Sequence, residues 1–303
     1  MRDTVLRAVK EMNYTPNLSA RGLVRAQSNT IAVVTFSYFL AYPVELMRGI
    51  EAEMIKTKYD LLYYTTSRYT YIGTEGRDAH IYEMILNERK AAALIVFSGV
   101  LYGDKDITER YRKAGIQLVF IEGKDTRGHR VHYDNNQAAE MAVAHFVERK
   151  RKKIGMLTGN TVDVQSFSER KEGFLKAMIR NKMKNAKKNI FEYKEITPEV
   201  EKTALNFFIK NNIDAVYCAS GDDFAIRLIH EAKKLGIKVP QQLAVLGQDD
   251  LPVARAADLS TIRQPITEMG KAAVDIAVNA IANKDEKMRD DIFYPELIVR
   301  GTT

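Results

Sequence analysis

The amino-acid sequence predicts an α/β protein with two doubly wound lobes, each of them a parallel sheet covered by helices. Short apolar runs rich in β-branched and aromatic residues recur about every 25 to 35 residues along most of the chain. These runs are at 31–36, 61–64, 92–97, 118–121, 154–157, 214–218 and 243–247. Near-continuous apolar strands are typical of parallel sheets buried on both faces, which is the first observation behind the prediction.

The second observation is the helical pattern between these runs, where apolar residues recur at i, i+3, i+4 and i+7. The segments are 44–56, 136–147, 168–180, 198–210 and 222–235, and a last amphipathic helix is predicted at 266–281. Strands and helices that alternate in this way form βαβ units, so the sequence predicts two Rossmann-like lobes.

The chain is predicted to cross between the lobes at two places. The first is near Tyr133 and Asp134, where the polar stretch GKDTRGHR and a short VHY run precede a new helix, and the second lies in STIRQP, 260–265. The predicted division is an N-terminal segment 1–28, a first lobe 29–133 plus 264–285, and a second lobe 134–263 plus 286–303.

Lobes joined by crossings form a hinged cleft, and ligands of open parallel sheets bind beyond the carboxyl ends of the strands. The loops expected to face this cleft follow Phe36, Tyr64, Leu157, Cys218 and Gly247.

Composition narrows the class of protein. A chain of 303 residues with 46% hydrophobic and 28% charged residues is globular, not collagen-like, coiled-coil or disordered. Its single cysteine, no apolar run of about 18 residues and an N-terminus without an apolar secretory segment predict a cytoplasmic protein. The net charge of +7 is only a weak indication of nucleic acid.

The sequence predicts no enzyme, no cofactor and no metal. It has no phosphate-binding glycine loop, no dinucleotide fingerprint, no nucleophile elbow and no zinc-protease helix motif. His129, His132 and Asp134 could suggest a metal, but their segment is predicted to be loop and edge strand. Cys218 ends a predicted buried strand, which favours a packed core thiol over a nucleophile.

Two acidic doublets each follow a strand in the second lobe, at 222–223 and 249–250. Three roles are open to them: acid and base chemistry, helix capping by Asp222 and Asp223, or hydrogen bonding of ligand hydroxyls, which suits Asp249. The lysine and arginine clusters at 149–153 and 176–194 are predicted to be solvated surface, with a polyanion contact as the alternative.

The first 30 residues do not fit the two-lobed scheme. Residues 4–12 form one predicted helix, NYTPN is a turn broken by Pro16, and a second short helix is predicted at 18–26 with Asn17 as its N-cap. A helix under about 12 residues is marginal alone, so this one needs a partner surface.

Seven segments, in order and at matching spacing, resemble the LacI/GalR family of transcriptional regulators. They are YTPNLSARGLVRAQSNTIAVV, ELMRGIEAEM, HYDNNQAAEMAVAHF, IGMLTGN, SERKEGFLKAM, GIKVPQQLAVLGQDDLPVA and LSTIRQPITEMGKAAV. The resemblance covers essentially the whole chain. It implies a cytoplasmic, homodimeric repressor or activator with a periplasmic-binding-protein-like core, which binds operator DNA and a small-molecule effector and needs no membrane.

The resemblance also implies a DNA-binding hinge helix. In the family this helix pairs with its dimer mate in the minor groove and inserts a leucine between base pairs, and that leucine corresponds to Leu23. The residues expected to support it are Asn17, Ala20, Arg21 and Arg25.

Effector-binding positions follow from the same motifs. The residues expected to contact the effector are Tyr42, Pro43, Ser67, Arg68, Ser166, Arg170, Gly221, Asp222 and Asp249. Arg170 corresponds to an arginine that can pair with vicinal hydroxyls or a carboxylate. The family's Ala-Asn-Asp-Glu is Ser-Gly-Asp-Asp here, which puts a standard hexose or pentose ligand in doubt.

The chain begins in what resembles the third headpiece helix of the family, so residues 2–12 are not expected to read bases. A shortened chain, a misplaced start codon and a natural variant without sequence-specific DNA binding are the three explanations. The resulting hypothesis is a regulator core that couples effector binding, of a sugar or sugar derivative, to operator binding. A solute-binding protein for a small carbohydrate or related metabolite is the alternative.

Overall fold

The computed structural model describes residues 7, 11, 12, 28–36, 41–66, 75–88, 90–97, 105–122, 127–160, 164–283 and 287–303. Arg7 and Glu11 are helical. Met12 is in a turn, and the other residues of the predicted helix 4–12, all of the predicted helix 18–26, and Asn17, Ala20, Arg21, Leu23 and Arg25 lie outside the described residues.

The first sheet is parallel throughout and contains six strands in the order β11-β5-β4-β3-β1-β2. Its strands are β1 (Thr30–Phe36), β2 (Asp60–Thr66), β3 (Ala93–Phe97), β4 (Gln117–Ile121), β5 (His129–Tyr133) and β11 (Asp290–Phe293). The helices of this lobe are α1 (Ala41–Met54), α2 (Glu75–Asn87), α3 (Lys105–Lys113) and α9 (Ile266–Ala282).

The second sheet also has six strands, in the order β12-β10-β9-β8-β6-β7, and β12 is antiparallel to β10. Its strands are β6 (Ile154–Thr158), β7 (Ile190–Glu192), β8 (Ala215–Cys218), β9 (Ala244–Asp249), β10 (Thr261–Arg263) and β12 (Glu296–Ile298). The helices are α4 (Asn135–Glu148), α5 (Gln165–Arg180), α6 (Val200–Lys210), α7 (Asp222–Lys234) and α8 (Pro252–Ala256), with a short 3₁₀ helix at Ala186–Asn189.

These two sheets confirm the predicted fold class. β3, β6, β8 and β9 are buried at every residue, as expected for parallel strands covered on both faces. The largest apolar cluster joins the lobes, because it contains Val33 and Ile95 of the first sheet together with Met156 and Tyr217 of the second. The lobes therefore share a continuous core beneath the cleft.

The chain passes between the sheets three times among the described residues. The first two passages, β5 to α4 and β10 to α9, are at the predicted positions. The third, between β11 and β12, corrects the predicted second lobe: Asp290–Phe293 were expected there within 286–303, but they pair with β5 in the first sheet. The acidic start and half-exposed residues of this strand explain why its sequence carried no strand signal.

A helix cap and a close helix–helix contact fix the positions of α4, α1 and α9. Asp134 caps α4, since its side chain accepts a hydrogen bond from the Gln137 backbone N–H at 2.8 Å. Helices α1 and α9 approach closely through Gly49 and Gly270, where a Cβ would meet a backbone carbonyl oxygen of the facing helix. Among the described residues, no helix is both long and apolar enough to cross a membrane.

Candidate functional site

Polar side chains from both lobes converge where the crossings pass the carboxyl ends of the strands. One group, called here the hinge cluster, consists of Tyr42, Glu122, Asn135, Arg170 and Gln264. Tyr42 is on α1, Glu122 follows β4, Asn135 and Gln264 lie at the first and second crossings, and Arg170 is on α5. The hinge cluster therefore ties both lobes to two of the connections between them.

Arg170 is the centre of the hinge cluster, with only 5% of its surface exposed. Its Nε donates to Asn135 Oδ1 at 2.8 Å, and its terminal nitrogens donate to Ala219 O at 2.7 Å and to Gln264 Oε1 at 3.1 Å. The guanidinium is thus held by acceptors of the protein itself.

Glu122 lies on the other side of the same two amides. Its oxygens accept hydrogen bonds from Asn135 Nδ2 at 3.0 Å and Gln264 Nε2 at 3.1 Å. Burial raises the pKa of Glu122 to about 7, although the Asn135 hydrogen bond and the charge of Arg170 act in the opposite direction. Gln264 also donates to Tyr42 Oη at 3.0 Å, which closes the network across the lobes.

A second group, called here the strand-end cluster, consists of Thr158, Ser220 and Asp249. These residues lie at the carboxyl ends of β6, β8 and β9, which are neighbours in the second sheet. Thr158 Oγ1, Ser220 Oγ and Asp249 Oδ1 are buried, and each has no hydrogen-bond partner within the described part of the chain. Buried polar atoms are nearly always paired in native proteins, so unpaired atoms at the ends of three neighbouring strands make this strand edge a candidate ligand site.

Asp249 is the charged member of the strand-end cluster. It is 7% exposed and has a φ of 104°, a conformation that L-residues seldom adopt. Its Oδ1 is 3.9 Å from the nearer Arg170 nitrogen, too far for a hydrogen bond. Burial raises the pKa of the Asp249 carboxyl, and the nearby Arg170 charge lowers it.

Gly221 leaves room for this carboxylate. It has a φ of 119°, and a Cβ at this position would lie 3.3 Å from Asp249 Oδ2. A larger residue here would be strained and would press on the carboxylate, so the Gly in Ser-Gly-Asp-Asp has a local structural reason.

Asp222 has a structural role that differs from the predicted effector contact. It is fully buried, and its two oxygens accept hydrogen bonds from the Leu251 backbone N–H at 2.7 Å and from Thr261 Oγ1 at 2.6 Å. Burial and the Asp249 charge raise its pKa well above the ordinary value. Asp222 therefore fixes the loop after β9 to β10, behind the strand-end cluster.

The remaining predicted contacts divide into three kinds. Tyr42 belongs to the hinge cluster, and its ring packs against Phe97 with ring centres 5.2 Å apart. Pro43 is buried in α1, and Ser166 is half-buried on α5 one turn before Arg170. Ser67 and Arg68 lie outside the described residues.

Sequence reasoning missed eight residues: Glu122, Asn135 and Gln264 of the hinge cluster, Thr158 and Ser220 of the strand-end cluster, and the hydrogen-bonded chain of Tyr133, Gln248 and Tyr217. In this chain Tyr217 Oη donates to Gln248 Oε1 at 2.6 Å, and Tyr133 Oη donates to the Arg263 carbonyl at 3.2 Å. The available signal was position, since Glu122 and Gln248 stand at strand ends and Asn135 and Gln264 at the crossings.

The other polar features have structural partners. His129 Nδ1 accepts from the Arg289 backbone N–H at 3.0 Å, and His132 Nε2 is 3.0 Å from Asp290. Cys218 is fully buried, and burial raises the pKa of its thiol well above the ordinary value. In the cluster 149–153, Arg151 donates to the carbonyls of Asp214 and Pro240, so this part of the cluster joins loops.

Two six-stranded lobes, three crossings and a buried polar centre between them define a two-lobed ligand-binding domain. Residues 143–303 match the family described as periplasmic binding protein-like domain. The HTH-type transcriptional repressor PurR of Aliivibrio salmonicida is 25% identical over 301 residues, covering 98% of this chain and 88% of that protein. The NTD biosynthesis operon regulator NtdR of Bacillus subtilis is 28% identical over 307 residues, covering 100% and 90%.

Among solved structures, the Lac repressor dimer bound to operator and the anti-inducer ONPF has a TM-score of 0.81 at 20% identity. It covers 100% of this chain and 89% of the repressor chain. The chain therefore belongs to the periplasmic binding protein-like domain family, and it is similar over its whole length to the transcriptional regulators PurR and NtdR.

Proposed function

We propose that the protein is a transcriptional regulator whose effector binds in the cleft against the strand-end cluster. The observation that carries this proposal is Asp249 Oδ1, a carboxylate oxygen that is buried and has no hydrogen-bond partner among the described residues. Leaving such an atom unpaired costs about 1 to 3 kcal/mol or more. A ligand that supplies a hydrogen-bond donor at this point removes the cost.

The chemistry of the three atoms defines the ligand. Asp249 can only accept when ionised, whereas the hydroxyls of Thr158 and Ser220 can donate or accept. A small molecule with several adjacent hydroxyl groups matches this set, as a sugar or sugar derivative does. The relatives' roles as transcriptional regulators favour this reading over the solute-binding alternative and over an enzyme.

Arg170 has a different part in this proposal from the one its motif suggested. Its three hydrogen bonds to Asn135, Ala219 and Gln264 fix α5 of the second lobe to the two crossings and to the loop after β8, and its charge lies 3.9 Å from Asp249. Direct pairing with the effector is left to the strand-end cluster.

Effector binding can reach the crossings through Asp250. This residue is next to Asp249 and accepts from Arg263 Nε at 2.8 Å and Arg300 at 2.6 Å, while Arg263 also pairs with Glu296 at 2.6 Å. Arg263 and Glu296 flank the second and third crossings. A shift of the loop after β9 would therefore move the connections that set the angle between the two lobes.

In the proposed mechanism, effector affinity differs between lobe arrangements that suit and do not suit operator binding. Such coupling commonly amounts to about 1 to 3 kcal/mol. The regulator acts as a cytoplasmic homodimer, and Leu23 of the hinge helix enters the minor groove. Sedimentation at micromolar concentration should give a dimer, and Leu23→Ala should weaken DNA binding in a competition at fixed salt; a monomer would contradict the dimeric arrangement.

A thermal-shift screen tests the effector site. Sugars, sugar phosphates and nucleobases are added to the wild-type chain, to Asp249→Asn and to the control Asp60→Asn, which is exposed at the amino end of β2. A ligand should raise the Tm of wild type and control alike and should raise that of Asp249→Asn much less. Equal shifts in all three proteins would overturn the site.

A further inference from the structure

Three buried carboxylates and one buried cation surround the strand-end cluster. Glu122, Arg170, Asp222 and Asp249 are each 7% exposed or less. The half-buried Glu169 and Asp223 add negative charge, since they raise the pKa of Glu122 and Asp249 respectively. The charges of Asp249, Glu169 and Asp223 outnumber the one guanidinium of Arg170, whereas the raised pKa of Glu122 and of Asp222 favours the neutral form of these two carboxyl groups.

Neutral donors hydrogen-bond two of the carboxyl groups, and the raised pKa of each favours its neutral form. Glu122 accepts from two side-chain amides, and Asp222 accepts from a backbone N–H and the Thr261 hydroxyl. The third, Asp249, has Arg170 as its nearest cation at 3.9 Å, and a side-chain hydrogen bond from Gln248 lowers its pKa, but its Oδ1 has no donor within the described residues. The guanidinium of Arg170 donates its hydrogen bonds to two side-chain amide oxygens and one backbone carbonyl.

Burial of these groups in their charged form costs free energy, and the pKa of each carboxyl group reflects this cost. Desolvation is the largest influence on the pKa of Glu122, Asp222 and Asp249, and it raises the pKa of all three. A buried charge is tolerated when a counter-charge and hydrogen bonds accompany it. A neutral hydroxyl supplies the hydrogen bond alone, whereas an ammonium group supplies both.

We propose that the effector carries a protonated amino group beside its hydroxyl groups, and that the ammonium binds against Asp249 Oδ1. The ligand class is thus an amino sugar or amino polyol. This inference rests on the proposed effector site and names its chemistry. An ammonium offers three N–H donors and forms charge-assisted hydrogen bonds, which are about twice as strong as neutral ones. The hydroxyls of Thr158 and Ser220 are left for the sugar hydroxyls.

Matched ligand pairs test the charge of the effector. Glucosamine, glucose and N-acetylglucosamine are compared at pH 7, as are galactosamine and galactose, with glucuronate and glucose 6-phosphate as anions. Calorimetric titration of the whole 303-residue chain should give at least about tenfold tighter binding for an amine than for its neutral partner, and no binding of the anions. Asp249→Asn should reduce the amine preference to near unity, and Asp60→Asn should leave it unchanged.

The possible results distinguish failure of the ammonium proposal from failure of the effector site. Equal binding of the amine and its neutral partner, with loss of both in Asp249→Asn, would keep the effector site and overturn the ammonium. A preference for the anions would also overturn it. Amine binding that Asp249→Asn does not alter would overturn both, and so would the absence of binding by every amine at about 10 mM.

Discussion

The hinge cluster and the strand-end cluster are neighbours, yet they differ in whether their buried polar atoms have hydrogen-bond partners. In the hinge cluster, Arg170, Asn135, Gln264 and Glu122 satisfy one another across two crossings. In the strand-end cluster, three buried oxygens have no hydrogen-bond partner within the described residues. The first arrangement stabilises the fold, whereas the second lowers its stability, which agrees with the proposal that these atoms bind a ligand.

The largest effect is expected from Arg170→Met, which breaks the hinge cluster. It leaves Glu122 without its nearby positive charge and leaves Asn135 and Gln264 oxygens without a donor, so the free energy of unfolding should fall by about 3 to 5 kcal/mol. Urea denaturation measures this loss. Arg180→Met, on the same helix but with a 66% exposed side chain, should change it by less than about 1 kcal/mol. Similar losses in both variants would remove the distinction between them.

The hinge cluster should also determine how stability depends on pH. The pKa of Glu122 rises from 4.5 to about 7 on folding, so the unfolded chain ionises first as the pH increases. Its contribution to stability is therefore present below pH 4.5 and is lost between about pH 4.5 and 7, by about 3 kcal/mol.

Denaturation curves of wild type and Glu122→Gln across this pH range isolate the contribution. The difference between the two proteins should change by about 3 kcal/mol, whereas the exposed control Glu51→Gln should run parallel to wild type. A Glu122→Gln curve parallel to wild type would show that Glu122 ionises normally.

A smaller effect is expected from glycines with positive φ. Gly221→Ala and Gly236→Ala both place a side chain where φ is 119° and 73°, and each should cost about 1 to 2 kcal/mol of stability. Only Gly221 adjoins Asp249, since a Cβ at Gly236 meets nothing within 4 Å. Ligand-induced thermal shifts should therefore be lost in Gly221→Ala and kept in Gly236→Ala. Loss in both, or in neither, would place the ligand elsewhere.

The sequence predicts the clusters unequally. Buried strands such as β6 and β9 carry unbroken apolar runs, so the ends of these strands, and with them Asp249, could be placed before the structure was known. Arg170 was placed by its motif, but its partners come from segments 35 to 94 residues away in the chain. No local pattern encodes such pairings.

Physical reasons also explain why some helices and strands could not be predicted from the sequence. Helix α3, KDITERYRK, is mostly charged, and its apolar residues Ile107 and Tyr111 are too few to give an extended helical pattern. Strands β7, β10 and β12 have three residues each, too few for a pattern. Their pairing depends on neighbours supplied by the rest of the chain, which is also why β11 was assigned to the wrong lobe.

The proposed difference between the hinge cluster and the strand-end cluster can be tested most directly without a ligand. It is the free energy of unfolding of Asp249→Asn at pH 7.5, relative to wild type and Asp60→Asn. The amide keeps the shape and tolerates a positive φ, but it removes a buried charge whose Oδ1 has no hydrogen-bond donor within the described residues. Stability should rise by about 1 kcal/mol. A fall of about 1 kcal/mol or more would show that the fold itself uses this carboxylate and would contradict the assignment of Asp249 to a ligand.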